Sequence, residues 1–222
     1  MTAPARPFSK ERNDLDFASL EAGDIVLMSN PWDRWYMRYI IFWSHAGLVT
    51  GKGGREAIID VVREPFGDHD RVGQRPFYQV HHCTYEAYAL NYDLIALRVR
   101  CPLEVRQAAV RYAEERIGTP YSPNIKKIIF NRHDTDHYSC SVLIWQAYQA
   151  QGIDLSPAPF GLNVTVMPYT FAHSRHVQVV AVGTRYKPIP RNWRNLGLIL
   201  RRWWYRNVLR APIADWGTED GG

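Results

Sequence analysis

The run Asp136-His137-Tyr138-Ser139-Cys140-Ser141-Val142-Leu143-Ile144-Trp145 passes from a polar loop to an unbroken apolar stretch at Cys140. That boundary predicts a helix opening at Cys140 and running to Gln151, where Gly152 ends it. A thiol in the first turn of a helix sits among N–H groups that have no partner within the helix and at the positive end of its dipole. Both favour the thiolate, which is the nucleophilic form of cysteine.

A nucleophilic cysteine needs a base, and the segment that supplies one lies far upstream. Gly23-Asp24-Ile25-Val26-Leu27 leads to Ser44-His45-Ala46-Gly47-Leu48-Val49, with His45 between small residues on a predicted strand. Cys140 with His45 is a candidate hydrolase pair. The orienting acid comes from the following strand, Ala57 to Val62, joined to the first by the Gly-rich turn Thr50 to Arg55. Asp60 is the preferred third residue, because Ile58-Ile59 and Val61-Val62 flank it and make it a polar group within an apolar strand. Glu56, at the turn, and Glu64, just beyond the strand, are the alternatives. The bland reading of Asp60 is an ion pair with Arg55 or Arg63.

Residues 1–20 are polar and Pro-containing and read as an extended or mobile leader, with the fold starting near Leu20-Glu21-Ala22-Gly23-Asp24. Ile25 to Met28 reads as a buried strand, and the aromatic and basic stretch Trp32 to Tyr39 as a short helix or loop. Further strands are expected at 75–85, 93–99 and 178–182, the second of these alternating Leu94, Ala96, Arg98 against Ile95, Leu97, Val99. From Leu103 to Ile117 the period changes to that of a helix, and Gly118 supplies its stop. The expected layout is a leader at 1–20, a catalytic domain at 21–186 and a basic amphipathic tail at 187–222.

The bulk numbers fit one domain. The chain has 222 residues, 46% of them hydrophobic, with eight Trp and thirteen Tyr that suit wet clefts and interfaces. Twenty-seven basic against 22 acidic residues give a net charge of +5, too little by itself to argue for nucleic acid. Three cysteines do not read as a disulfide framework. With no apolar stretch of signal-peptide or membrane-spanning length, the expected location is the cytoplasm, with peripheral membrane association as a further expectation.

At its motif residues the chain resembles the YiiX-like, circularly permuted branch of the NlpC-type papain-fold cysteine hydrolases. The ordered set is Gly23-Asp24-Ile25, Ser44-His45-Ala46-Gly47, an acid-bearing apolar strand, Gly118-Thr119-Pro120-Tyr121 and Tyr138-Ser139-Cys140-Ser141, spanning about Gly23 to Val182. The resemblance implies a papain-like α+β fold, with an antiparallel sheet or partial barrel carrying the histidine and a helix carrying the cysteine. It implies an amidase, peptidase, thioesterase, esterase or acyltransferase working through an acyl-enzyme, with Cys140, His45 and Asp60 as catalytic residues and no cofactor. Members of that branch usually carry an aromatic residue directly before the cysteine, a Ser-Glu pair after it and a glutamate as third residue. Here those places hold Ser139, Ser141-Val142 and Asp60. The lecithin:retinol acyltransferase family also runs histidine before cysteine, but its Asn-Cys-Glu-His signature is absent.

Two other features were weighed. His133, His137 and Cys140 have helical spacing for zinc, but Asp134, Thr135 and Asp136 make the segment a loop, so no metal is assigned. From Lys187 to Arg210 the tail holds seven Lys or Arg and no acid, interleaved with Trp193, Leu196, Leu200, Trp203 and Trp204, which share one face of a helix. This suits an interfacial membrane helix, against the plain reading of a helix docked on its own domain. The expected partner is a small-molecule, peptide or lipid-linked amide or ester, not nucleic acid. The competing class is a non-catalytic membrane-surface module.

Overall fold

The computed structural model describes residues 10–29, 43–62, 79–91, 93–121, 132–157, 165–185, 187, 192–193 and 196–207. Six strands form one open antiparallel sheet: β1 (Ile25–Ser29), β2 (His45–Val49), β3 (Ile58–Val62), β4 (Gln79–Cys83), β5 (Asp93–Val99) and β6 (Val177–Thr184), in the order β4-β3-β2-β1-β5-β6. Among the described residues the α-helices are α1 (Tyr85–Ala89), α2 (Leu103–Glu114), α3 (Cys140–Gln149), α4 (Pro168–Ala172) and α5 (Leu196–Asn207).

The central strands read as continuous apolar runs because both faces of the sheet are covered. On one face Ile25, Leu27, Ala46, Leu48, Ile59, Val61, Ile95 and Leu97 meet Ala109, Val110 and Ala113 of α2 and Val142, Leu143 and Ile144 of α3. On the other, Val26, Met28, Ile58, Leu94 and Ala96 are covered by Leu15, Leu20 and Tyr88. Each such aliphatic side chain removed from water contributes about 1.5–3 kcal/mol before ordering costs. Pleat alternation therefore assigns His45 to Val49 and Ile58 to Val61 to one buried layer or the other.

Two buried residues fix the start of β1. Gly23 has φ +84°, and a Cβ there would lie 2.5 Å from Arg106 Cβ and 2.8 Å from the Tyr148 hydroxyl, so the position admits only glycine. Asp24, fully buried, accepts from Arg98 at both oxygens (Nε to Oδ1 2.8 Å, Nη2 to Oδ2 2.7 Å). Glu21 joins Arg98 to Arg106 at 2.7 Å each. The Gly-Asp pair thereby ties β1 to β5 and α2, which is a structural task.

Several expectations are refined. Residues 10–20 do not stand off as a leader: Asn13, Leu15 and Leu20 are buried, and Asn13 Nδ2 donates to the Asn91 carbonyl at 3.1 Å. The strand expected at 75–85 covers only 79–83 of the described residues, because Thr84 caps a helix there, its hydroxyl accepting from Ala87 N–H at 3.2 Å. β6 is longer than 178–182, and α2 and α3 stop before their glycines, with Gly118 (φ +90°) and Gly152 (φ +80°) in the turns that follow. Trp32 to Tyr39, Arg63 and Glu64 lie outside the described residues.

Candidate active site

His45 is the first residue of β2, and Asp60 lies on β3. The β2–β3 register pairs Leu48 with Ile59 and Val49 with Ile58, and its continuation sets Gly47 opposite Asp60. His45 and Asp60 therefore share a face, and His45 Nε2 lies 2.5 Å from Asp60 Oδ1. Both are nearly inaccessible to solvent, at 7% and 4% exposed.

Two hydrogen bonds hold Asp60 beside its contact with His45. Its Oδ1 accepts from the Val61 N–H at 2.6 Å, and its Oδ2 accepts from the Tyr88 hydroxyl at 2.7 Å. Burial, the largest influence on this carboxyl, pushes its pKa up. The charge and hydrogen bond of His45, the charge of His81 across the β3–β4 pair and the Tyr88 hydroxyl outweigh burial, so the pKa is lowered. Asp60 is thus an anion, and its contacts run to His45, Val61 and Tyr88.

Cys140 also acts on the His45 ring, through its charge and a side-chain hydrogen bond that both favour the imidazolium. Nε2 faces Asp60, which leaves Nδ1 as the other polar atom of the ring. Burial alone would disfavour the imidazolium. Asp60, and after it Cys140, more than offset that, and the His45 pKa is raised well above its ordinary 6.5.

Cys140 arrives from the other layer, as the first residue of α3, a helix that packs against β2 and β3. Ser139 is the N-cap, its backbone extended (φ −100°, ψ 163°) and its hydroxyl accepting from Val142 N–H at 3.4 Å. A serine directly before the cysteine has a local reason here, since an aromatic side chain could not cap. Ser141 Oγ donates to the Val166 carbonyl at 2.6 Å, and Gln146 Nε2 donates to the carbonyls of Arg132 and Asp134 at 2.8 Å each. These bonds fix the helix to the chain on both sides of it, Arg132 and Asp134 before and Val166 after. The N–H groups of Cys140 and Ser141, at the first turn, have no acceptor within the helix.

The structure brings Cys140, His45 and Asp60 together and leaves Glu56 out. Glu56 is exposed and pairs with Lys52 at 3.2 Å. Tyr138, two residues before the cysteine, is fully buried and accepts from Arg116 Nε at 3.0 Å. Cys83 and Cys101 form no disulfide with each other or with Cys140. Among the described residues no three His, Cys, Asp or Glu side chains gather as a metal site.

Tyr88 is the residue that the sequence reading missed. It lies on α1, its ring centroid 6.5 Å from that of His45, and burial followed by the Asp60 charge raises its pKa well above 10.0, so it is a donor. Its approach depends on Gly47. A Cβ at that position would stand 2.1 Å from the Tyr88 hydroxyl and 2.7 Å from its Cζ. The glycine two residues after the histidine, in mid-strand where glycine is unfavourable, was the available signal.

No family profile matches this chain, and no curated protein matches it. Among solved structures it is similar to the metalloprotein yiiX from Escherichia coli O157:H7, at 14% sequence identity and a TM-score of 0.48. That alignment covers 72% of this chain and 96% of the other. Identity at that level carries no residue's role across.

Proposed function

We propose that this chain is a cysteine-dependent hydrolase or acyltransferase of circularly permuted papain-like type, in which Cys140 is the nucleophile, His45 the base and Asp60 the orienting acid. The observation that supports this most is the buried His45 ring shared between Asp60 and Cys140. Order along the chain, histidine strand before cysteine helix, fits the same reading.

In the first half-reaction the Cys140 sulfur attacks the carbonyl carbon of an amide, thioester or ester, and His45 takes the thiol proton. The carbonyl oxygen becomes an oxyanion and is met by the N–H groups at the start of α3. When the tetrahedral adduct collapses, the bond to the leaving group breaks and His45 returns the proton to it. The product is a thioester on Cys140. In the second half, water or another hydroxyl or amine gives its proton to His45 and attacks the thioester. Release of the acid or of the new ester or amide restores the Cys140 thiol. Asp60 keeps its negative charge throughout and stabilises the imidazolium.

Incubation with a panel of acyl thioesters and activated esters, followed by intact-mass measurement, tests the reading. A mass increase equal to the acyl group, mapped to Cys140 and discharged by hydroxylamine, is expected for at least one acyl donor. Acylation that persists in Cys140→Ala would contradict it.

A further inference from the structure

Helix α5 spans Leu196–Asn207, and four of its described large apolar side chains stand in solvent. Leu196, Leu200, Trp203 and Trp204 are 38%, 54%, 57% and 47% exposed, and Trp193, just before the helix, is 88% exposed. The four helix positions fall at i, i+4, i+7 and i+8, which is one face. Such a face disagrees with the plain reading of a helix docked through its apolar side, in which those residues would be buried. It forms a contiguous patch, and contiguous exposed patches mark interaction surfaces.

The chemistry around the patch selects its partner. From Lys187 to Arg210 the sequence carries seven basic residues and no acid, so the surface that meets it is anionic. Tryptophan with leucine and arginine is the composition that settles at the boundary between headgroups and acyl chains: indole rings sit at the headgroup level and leucine enters the hydrocarbon. Leucines beside tryptophans on the apolar side argue against a nucleic acid, whose bases stack on aromatic rings but gain little from leucine. At about 1.5 Å per residue the helix is far shorter than the roughly 30 Å hydrocarbon core. No helix among the described residues is long and apolar enough to cross a membrane. A helix of this length would meet a bilayer at its surface and not across it.

We infer that α5 and the residues flanking it bind the surface of bilayers rich in anionic lipid, with Leu196, Leu200 and Trp204 entering the interface. The binding is independent of the reaction at Cys140, so it holds or fails on its own. If both hold, the candidate active site works beside a membrane, where lipid-linked acyl donors and acceptors are concentrated.

The test is co-sedimentation of the full chain with vesicles of phosphatidylcholine alone and of phosphatidylcholine mixed with phosphatidylglycerol. Apparent affinity is expected to be at least about tenfold higher for the mixed vesicles, and to fall as salt shortens the electrostatic range. The triple variant Leu196→Ser, Leu200→Ser, Trp204→Ser should lose at least about tenfold in affinity while its thermal midpoint stays that of the parent, which separates lost binding from lost folding. Three results would overturn the inference: equal binding to both vesicle types, unchanged binding by the triple variant, or a parent that binds no vesicle but forms oligomers or RNA complexes that the variant abolishes.

Discussion

The Tyr88 hydroxyl donates to Asp60 Oδ2 at 2.7 Å, the carboxylate oxygen that His45 does not use. The carboxylate is thereby held from two sides, by the histidine it orients and by a tyrosine from the element after β4. Replacement by phenylalanine removes one donor from a buried anion without removing the ring. Tyr88→Phe is expected to cost about 1.5–3 kcal/mol in urea unfolding, the range for a hydrogen bond to a charged group. It should also shift the pH profile of acyl-probe labelling at Cys140, since Asp60 loses an interaction that favours its charged form. A profile identical to the parent's would mean that Tyr88 only packs.

Gly47 makes room for that tyrosine. Gly47→Ala should destabilise by about 1–3 kcal/mol, because the new methyl meets Tyr88 and Ile58 Cγ2 inside normal contact distance. In a double-mutant cycle with Tyr88→Phe the two effects should be markedly less than additive, as both break the same contact to Asp60. Additive effects would show that Gly47 serves something other than the tyrosine.

The sequence left Asp60 and Glu56 as rivals for the orienting role, and they differ by an experiment as well as by geometry. Asp60→Asn keeps the shape and removes the charge, so acylation of Cys140 should slow by roughly 10²- to 10⁴-fold. Glu56→Gln should leave the rate within about twofold, since the loss is one exposed ion pair. Acylation rates for the two variants, measured with the same donor, check this. The reverse pattern would transfer the role to Glu56.

The buried pair also sets a pH dependence of stability. His45, raised above its ordinary 6.5, contributes stability that is fully present below that value and is lost as pH rises through its folded pKa. Asp60, lowered from 3.8, contributes stability present above that value and lost as pH falls through its folded pKa. Both contributions are complete between 3.8 and 6.5. The stability difference between the parent and the double variant His45→Gln, Asp60→Asn should therefore be flat in that window and shrink on either side. Chemical unfolding across pH measures it, and a difference that grows above 6.5 would have the wrong sign.

What was legible in the sequence was what short-range pattern encodes. The apolar runs at Ile25, His45 and Asp93 became strands within a residue or two, and Gly118 and Gly152 marked the turns after two helices. Cys140 and His45 were legible because each stands where an element begins, and Asp60 because it is the polar residue in an apolar strand. Tyr88 was not, since its bond to Asp60 joins residues 28 positions apart and its helix is only five residues long, too short to show a period. Residues 10–20 were misread for a related reason. Only Leu15 and Leu20 of that polar stretch supply buried apolar anchors, which is no pattern until the second face of the sheet is known to need a cover.

The claim on which the account turns is that Cys140 and His45 act as one unit. Site-resolved labelling with an electrophilic acyl probe, in the parent and in His45→Ala, measures it most directly. The account predicts an adduct on Cys140 well ahead of Cys83 and Cys101, slowed roughly 10²-fold or more when His45 is removed. Equal labelling of the three cysteines, or the same Cys140 rate with and without His45, would contradict it.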